Sequence, residues 1–212
     1  LNAFKLFLNY KTALFFLFSM MLGAALQLTN MFGDVYVSEF GYFGKYQGSL
    51  IVEKSTIIMS ISQVSETLFI LAIPFFLKRF GIKKVMLISM LAWVLRFGLL
   101  AYGNPAEGLW MIILSCIVYG MAFDFFLISG SMFVEANTDS NIRSSAQGLF
   151  IMMTNGFGAY IGTVASSALI GAYFILPDGS TNWQGTWLFF AGYSLVVALL
   201  FLLLFKEKHQ AA

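Results

Sequence analysis

Two pairs of polar side chains interrupt long apolar stretches of this chain. Gln27 and Asn30 lie three positions apart, and so do Gln63 and Glu66. On a helix this spacing places both members of a pair on one face. Amides and a carboxylate together donate and accept hydrogen bonds, which suits a neutral polyhydroxylated or heterocyclic solute. Hydrogen bonding between helices is the alternative explanation.

An aromatic pair lies in another apolar stretch. Tyr119 and Phe123 are four positions apart and therefore share a helix face. Such a face could stack on a flat ring, and ordinary helix packing is the alternative. Asp124 lies about 140° from Tyr119 around the helix, so it cannot share the centre of that face.

The charges within the apolar stretches are unbalanced. One arginine, Arg96, stands against two carboxylates, Glu66 and Asp124. A buried arginine needs a carboxylate or several carbonyl groups, so we predict an Arg96–Asp124 ion pair, with gating or proton transfer as the alternative role. Glu66 is then the carboxylate left free to bind a substrate hydroxyl, a proton, or each in turn.

The composition is that of an integral membrane protein. Of 212 residues, 59% are hydrophobic and 10% charged, and the mean hydropathy is +0.84. A single cysteine, Cys116, excludes a disulfide framework within the chain. A single histidine, His209, disfavours a Ser/His/Asp triad or a zinc site. We therefore predict no enzyme activity, no metal and no cofactor, and the net charge of +2 does not indicate nucleic acid.

Windows of about twenty apolar residues predict six transmembrane helices. The predicted spans cover residues 12–33, 55–77, 84–103, 108–134, 144–173 and 183–205. Residues 1–11 are predicted to approach the membrane along its interface, and residues 206–212 to form a cytoplasmic tail. The fold class is an all-α membrane protein with one six-helix unit over residues 12–205. The chain begins with leucine and shows no cleavable signal peptide, so we expect it to be a piece of a longer protein.

Basic residues in the loops predict the orientation. Two of them, Lys45 and Lys54, fall on one side of the six predicted spans. Nine fall on the other side: Lys5, Lys11, Lys78, Arg79, Lys83, Lys84, Arg143, Lys206 and Lys208. We therefore predict that both ends of the chain are cytoplasmic.

Glycines in the fifth predicted span favour close helix packing. The stretch "NGFGAYIG" contains Gly156, Gly158 and Gly162, but it lacks the third glycine and the preceding strand of a dinucleotide-binding motif. Gly158 and Gly162, four positions apart, instead allow two helices to approach closely in a membrane.

Several long motifs resemble the C-terminal six-helix half of bacterial nucleoside permeases, which form the nucleoside:proton symporter family of the major facilitator superfamily. The motifs are "LQLTNMFG" (26–33), "IIMSISQVSETLFILAIPFFLKRFGIKKVM" (57–86), "AWVLRFGLLAYG" (92–103), "IVYGMAFDFFLISGSMFVE" (117–135) and "RSSAQGLFIMMTNGFG" (143–158). The stretch "FLKRFGIKK" is also similar to the basic loop of the superfamily, although it lacks the acidic residue of that loop.

The resemblance implies a fold of two six-helix halves with the substrate between them, each half made of two inverted three-helix repeats. It implies proton-coupled nucleoside uptake across a bacterial inner membrane, with an N-terminal half as the partner of this chain. It also implies nucleoside contacts by six residues: Gln27, Asn30, Gln63, Glu66, Tyr119 and Phe123. Asp124 matches an acidic position of the family.

Two other functional classes remain as alternatives. A non-transporting membrane binding or scaffold module, derived from a truncated transporter, would also consist of one half. An intramembrane enzyme is disfavoured because the chain offers no pair of histidine and cysteine residues placed for catalysis.

Overall fold

Helices form nearly all of the chain in a computed structural model that describes residues 2–206. After a 3₁₀ segment at Asn2–Leu8, the α-helices are α1 (Tyr10–Glu39), α2 (Leu50–Glu53), α3 (Ser55–Met59), α4 (Ile61–Tyr102), α5 (Leu109–Ala136), α6 (Arg143–Ile151), α7 (Ala159–Tyr173) and α8 (Trp183–Leu204). A π-helical segment, Met152–Gly158, joins α6 to α7. Within residues 2–206 there is no β-strand, only one antiparallel bridge between Ile175 and Thr181. Leu1, Lys208 and His209 lie outside the described residues.

Five helical stretches among the described residues are long and apolar enough to cross a membrane. The longest, Ser55–Tyr102, has 48 residues and would measure about 72 Å, more than twice the roughly 30 Å of a hydrocarbon core. Gly81 divides it with φ 77° and ψ 169°, a conformation open to glycine but not to a helix. The stretch therefore supplies two spans, and the all-helical membrane fold is confirmed.

Two predicted boundaries differ from the structure. The first span was expected to end at residue 33, but α1 continues to Glu39 because Tyr36 and Val37 are buried and prolong the packed face. The loop expected at 78–83 is reduced to a single break at Gly81, since one glycine with positive φ suffices to end the helical geometry. The predicted division of the chain at residues 11 and 206 stays a prediction, as does the inverted repeat.

Small residues bring the helices together. A Cβ atom on Gly162 would lie 2.7 Å from the Cα of Ala24, and one on Gly158 would collide with the carbonyl oxygen of Met20. A side chain on Gly23 would likewise collide with the carbonyl group of Thr154 in the π-helical segment. The predicted close approach at Gly158 and Gly162 is therefore confirmed, and it joins α1 to the fifth span.

Aromatic rings fill the interior at one end of the bundle, where Tyr36, Glu39 and Trp183 form a group that we call the aromatic clamp. The Tyr36 hydroxyl lies 2.6 Å from the carbonyl oxygen of Leu100 and 2.9 Å from that of Gly103. These carbonyls end α4, where no further helical turn can satisfy them. The Trp183 indole donates a 2.6 Å hydrogen bond to Glu39. The clamp thus ties α1, α4 and α8 together.

Candidate functional site

A cavity of about 310 Å³ opens between α1, the first part of α4, and α5. We call it the polar cavity. Its volume is within the range of small-molecule sites. The polar side chains that characterise its lining are Asn30, Asp34, Gln63, Glu66, Arg96 and Tyr119. Four of the six residues predicted to contact a nucleoside are therefore brought together, namely Asn30, Gln63, Glu66 and Tyr119.

The packing of α4 on α5 directs Gln63 and Glu66 into the polar cavity. Ser65 lies on the side of α4 that packs against α5, where its hydroxyl donates to the carbonyl oxygen of Ile117. Gly120 provides the space, because a Cβ atom there would lie 2.6 Å from the carbonyl carbon of Ser65. Because Ser65 packs against α5, the Gln63 amide and the Glu66 carboxylate face the polar cavity. Gln63 has no hydrogen bond to another described side chain, and the Glu66 carboxylate interacts with the hydroxyl of Tyr119.

Asp34 is a cavity residue that the sequence analysis missed. It was assigned to a loop, but it lies in α1, one turn beyond Asn30. Its Oδ1 accepts a 2.6 Å hydrogen bond from the Ser55 hydroxyl, and the Thr56 hydroxyl lies 3.4 Å away. The spacing of four from Asn30 was the available signal, since it marks the same helix face. Asp34 therefore holds the start of α3 at the rim of the cavity.

The predicted ion pair between Arg96 and Asp124 is not formed. Arg96 is 1% exposed, and its Nη1 donates a 2.5 Å hydrogen bond to the carbonyl oxygen of Ser115. Its guanidinium carbon lies 4.7 Å from the centre of the Tyr119 ring. Asp124 is 3% exposed, and its Oδ2 is buried without a hydrogen-bond partner among the described residues. Arg96 contacts the side of α5 that carries Tyr119, whereas Asp124 lies about 140° away around the same helix.

Tyr119 presents its hydroxyl rather than an open ring face. It is 8% exposed, with Arg96 over the ring and Trp93 edge-on at 5.8 Å. Its hydroxyl faces the Glu66 carboxylate, and the two groups interact without a direct hydrogen bond of ordinary geometry. The ring of Phe123 is nearly parallel, with 5.9 Å between centroids and 10° between planes. The predicted aromatic pair therefore exists, but the Tyr119 ring is largely covered by protein.

The remaining predicted site residues lie beside the polar cavity rather than in its lining. Phe123 borders a separate small cleft of about 20 Å³, together with Trp93 and Asn155. Gln27 is half-buried on α1, one turn before Asn30. Asp124 is close enough to Glu66 for their charges to interact. No cluster of three or more histidine, cysteine, aspartate or glutamate residues that could hold a metal occurs within residues 2–206.

The chain is a helical membrane protein with a polar cavity among its spans, which is the kind of place where secondary transporters bind their substrates. The model of the family described as "Nucleoside H+ symporter" matches residues 1–210. The chain belongs to this family.

Similar proteins support this assignment. The chain is 56% identical to the nucleoside permease NupG of Escherichia coli (strain K12) over 210 residues, which is 99% of the chain and 50% of NupG. It is 53% identical to the xanthosine permease of the same organism, over 99% of the chain and 50% of that permease. A crystal structure of nucleoside transporter NupG matches with a TM-score of 0.92 and 56% identity, over 98% of the chain and 51% of that structure. The chain spans about half the length of these relatives, which are named as permeases or transporters rather than as enzymes.

Proposed function

We propose that the chain forms the C-terminal half of a proton-coupled nucleoside transporter of a bacterial inner membrane. The observation that carries this proposal is the polar cavity: it gathers Asn30, Gln63, Glu66 and Tyr119 from three helices into a space of about 310 Å³. The relatives, a nucleoside permease and a xanthosine permease, supply the substrate class. An N-terminal half would close the open side of the cavity, because transporters of this architecture bind their substrate between two halves.

The side chains in the cavity suit a nucleoside. The Gln63 and Asn30 amides can each donate to and accept from base edges or ribose hydroxyls. Glu66 accepts hydrogen bonds from hydroxyls while it is ionised and can carry the coupled proton when it is neutral. Gln27 and Phe123, outside the lining of this half, would reach the substrate only if α1 and α5 shift during the transport cycle.

The charges in the loops support the proposed orientation. Lys78, Arg79, Lys83 and Lys84 surround the break at Gly81 and would face the cytoplasm. Lys45 and Lys54 would lie on the outer side, together with the rim of the polar cavity. Both ends of the chain are then cytoplasmic. A membrane-impermeant thiol reagent applied to intact cells should label Lys45→Cys and leave Lys83→Cys unlabelled, and the reverse pattern would overturn the orientation.

Uptake of radiolabelled uridine and adenosine by cells carrying the complete transporter tests the function. Glu66→Gln keeps the size and one carbonyl acceptor of the side chain but removes its charge and its exchangeable proton. We expect uptake to fall by about a hundredfold, because a hydrogen bond to a charged group and the coupling proton are lost together.

The control is Glu53→Gln, which changes an exposed carboxylate outside the polar cavity. Its uptake should equal that of the unaltered transporter at the same amount of protein in the membrane. Unaltered uptake and unaltered pH dependence in Glu66→Gln would remove Glu66 from binding and coupling. Failure of the unaltered transporter to take up any nucleoside would instead favour a non-transporting membrane module.

A further inference from the structure

Arg96 is a buried cation whose neighbours do not neutralise it. It is 1% exposed, and no ion pair joins it to any carboxylate of residues 2–206. Among residues 2–206, its Nη1 donates to the carbonyl oxygen of Ser115, Cys116 lies beside the guanidinium, and its Nε is buried without a partner. Burying a charge in this way costs several kcal/mol relative to water. An apolar side chain of similar length would fill the space without this cost, so packing alone does not account for an arginine.

The contacts of Arg96 point to Tyr119. The guanidinium lies over the Tyr119 ring, 4.7 Å from its centre, while the hydrogen bond to Ser115 fixes its position from the other side. A planar guanidinium stacks on an aromatic face and is attracted by its electrons, which an ammonium group does less effectively. Cys116 is the other ionisable group beside the guanidinium. Arg96 therefore packs against the Tyr119 ring and does not pair with a carboxylate.

Tyr119 transmits this contact to the polar cavity. Trp93 packs edge-on against the ring at 5.8 Å and Phe123 lies parallel at 5.9 Å, so little freedom is left for the ring to rotate. The hydroxyl at the far end of the ring faces Glu66. Glu66 and Tyr119 both line the cavity, whereas Asp124 interacts with Tyr119 only at longer range.

We propose that Arg96 is a positioning residue of the nucleoside site, which holds the Tyr119 ring so that its hydroxyl and Glu66 meet the same substrate hydroxyl group. The inference rests on the proposed function and deepens it. It assigns to the buried charge a role in substrate affinity, exerted through Tyr119. Arg96 contacts the Tyr119 ring instead of forming the predicted ion pair with Asp124.

A double-mutant cycle in the complete transporter tests the proposal. Arg96→Gln removes the guanidinium, and Tyr119→Phe keeps the ring and removes the hydroxyl. We expect each single variant to raise the KM for uridine uptake about tenfold, and the double variant to raise it by about the same factor, because groups that act as a unit are not additive. Vmax, normalised to the protein in the membrane, separates this effect from a loss of folded transporter.

Two further variants complete the test. Arg143→Gln alters an exposed arginine that pairs with Glu135 at 3.4 Å, and its KM should stay at the unaltered value. If Arg96→Gln does not reach the membrane, Arg96→Lys takes its place in the cycle. It keeps the charge over the ring but not the planar stacking, and should raise KM about threefold in the unaltered background and not at all in Tyr119→Phe.

The outcomes separate the inference from the function on which it rests. If the two single-variant increases in KM multiply, the KM of the double variant rises about a hundredfold. That result would show that Arg96 and Tyr119 act independently and would overturn the inference. A KM of Arg96→Gln within about twofold of the unaltered value would overturn it as well. In both cases uptake by the unaltered transporter would still support the proposed function, whereas its absence would refute both.

Discussion

The aromatic clamp and the polar cavity both hold polar groups among aromatic rings, but they satisfy these groups differently. In the clamp, the Tyr36 hydroxyl, the Trp183 indole and both oxygens of Glu39 have protein partners. In and beside the cavity, the exposed amides of Asn30 and Gln63 have no partner within residues 2–206. Two buried atoms of charged side chains, Arg96 Nε and Asp124 Oδ2, also lack a partner there.

The difference separates a structural role from a binding role. Polar groups that satisfy one another bring helices together and have little left to offer a ligand. Polar groups that face an open cavity are left to water, and a substrate that supplies hydrogen bonds can take the place of that water. Variants in the cavity should therefore change substrate affinity, while variants in the clamp should change the stability of the fold.

Gln63→Leu should give the largest effect after Glu66→Gln. The substitution removes a donor and an acceptor at nearly constant volume, so a nucleoside would bury a polar group without a partner. We expect KM for uridine to rise about tenfold with little change in the thermal unfolding midpoint. The measurement is uptake by cells together with unfolding of the purified complete transporter. A lowered midpoint with unaltered KM would assign Gln63 to helix packing and break the comparison.

Tyr36→Phe should lower the stability of the fold and leave substrate affinity nearly unchanged. It leaves the carbonyl groups of Leu100 and Gly103 without the hydroxyl that lies within hydrogen-bond distance of both, and these groups lie among buried residues. We expect a loss of about 1–2 kcal/mol in the free energy of unfolding and a KM within about twofold of the unaltered value. Denaturation of the purified transporter measures the first and uptake the second. Tyr46→Phe, away from these carbonyls, is the matched control.

Trp183→Phe should have a smaller effect of the same kind. The indole hydrogen bond to Glu39 disappears, but the half-buried carboxylate keeps access to water through the neighbouring cleft of about 200 Å³. We expect a loss of about 1 kcal/mol, with part of it due to the smaller ring. Trp110→Phe, on an exposed tryptophan, should leave the unfolding midpoint nearly unchanged. A loss as large as that of Tyr36→Phe would mean that water does not replace the indole.

The sequence predicted the spans and the placement of three of the four paired polar residues, because these follow from local patterns. Runs of about twenty apolar residues locate a span, and a spacing of three or four locates a helix face. Asn30, Gln63 and Glu66 therefore reach one cavity as the spacing indicated. The predicted first span ends at residue 33, which places Asp34 in a loop. Hydropathy alone does not show that α1 continues to Glu39, nearly two turns further along the chain.

The partner of Arg96 could not be predicted in this way. Charge counting paired it with Asp124, because both lie at depth and their signs are opposite. Which side of α5 meets α4 depends on small residues such as Ser65 and Gly120, whose effect appears only when the helices are packed. That packing turns Tyr119 toward Arg96 and leaves Asp124 on another side. Depth in the membrane follows from the sequence, whereas rotation about the helix axis follows from tertiary contacts.

Ser194 provides the smallest and most discriminating prediction. Its hydroxyl on α8 is buried without a partner among residues 2–206, at 1% exposure, and no cavity described above includes it. If a missing partner were enough to mark a binding residue, Ser194 would be one. Because there is no space for a ligand beside it, the unpaired hydroxyl only lowers the stability of the fold. Ser194→Ala should therefore leave KM unchanged and raise the free energy of unfolding by up to about 1 kcal/mol. A lower stability would reveal a hydrogen bond within the membrane, and an altered KM would show that missing partners alone, without an open cavity, mark binding residues.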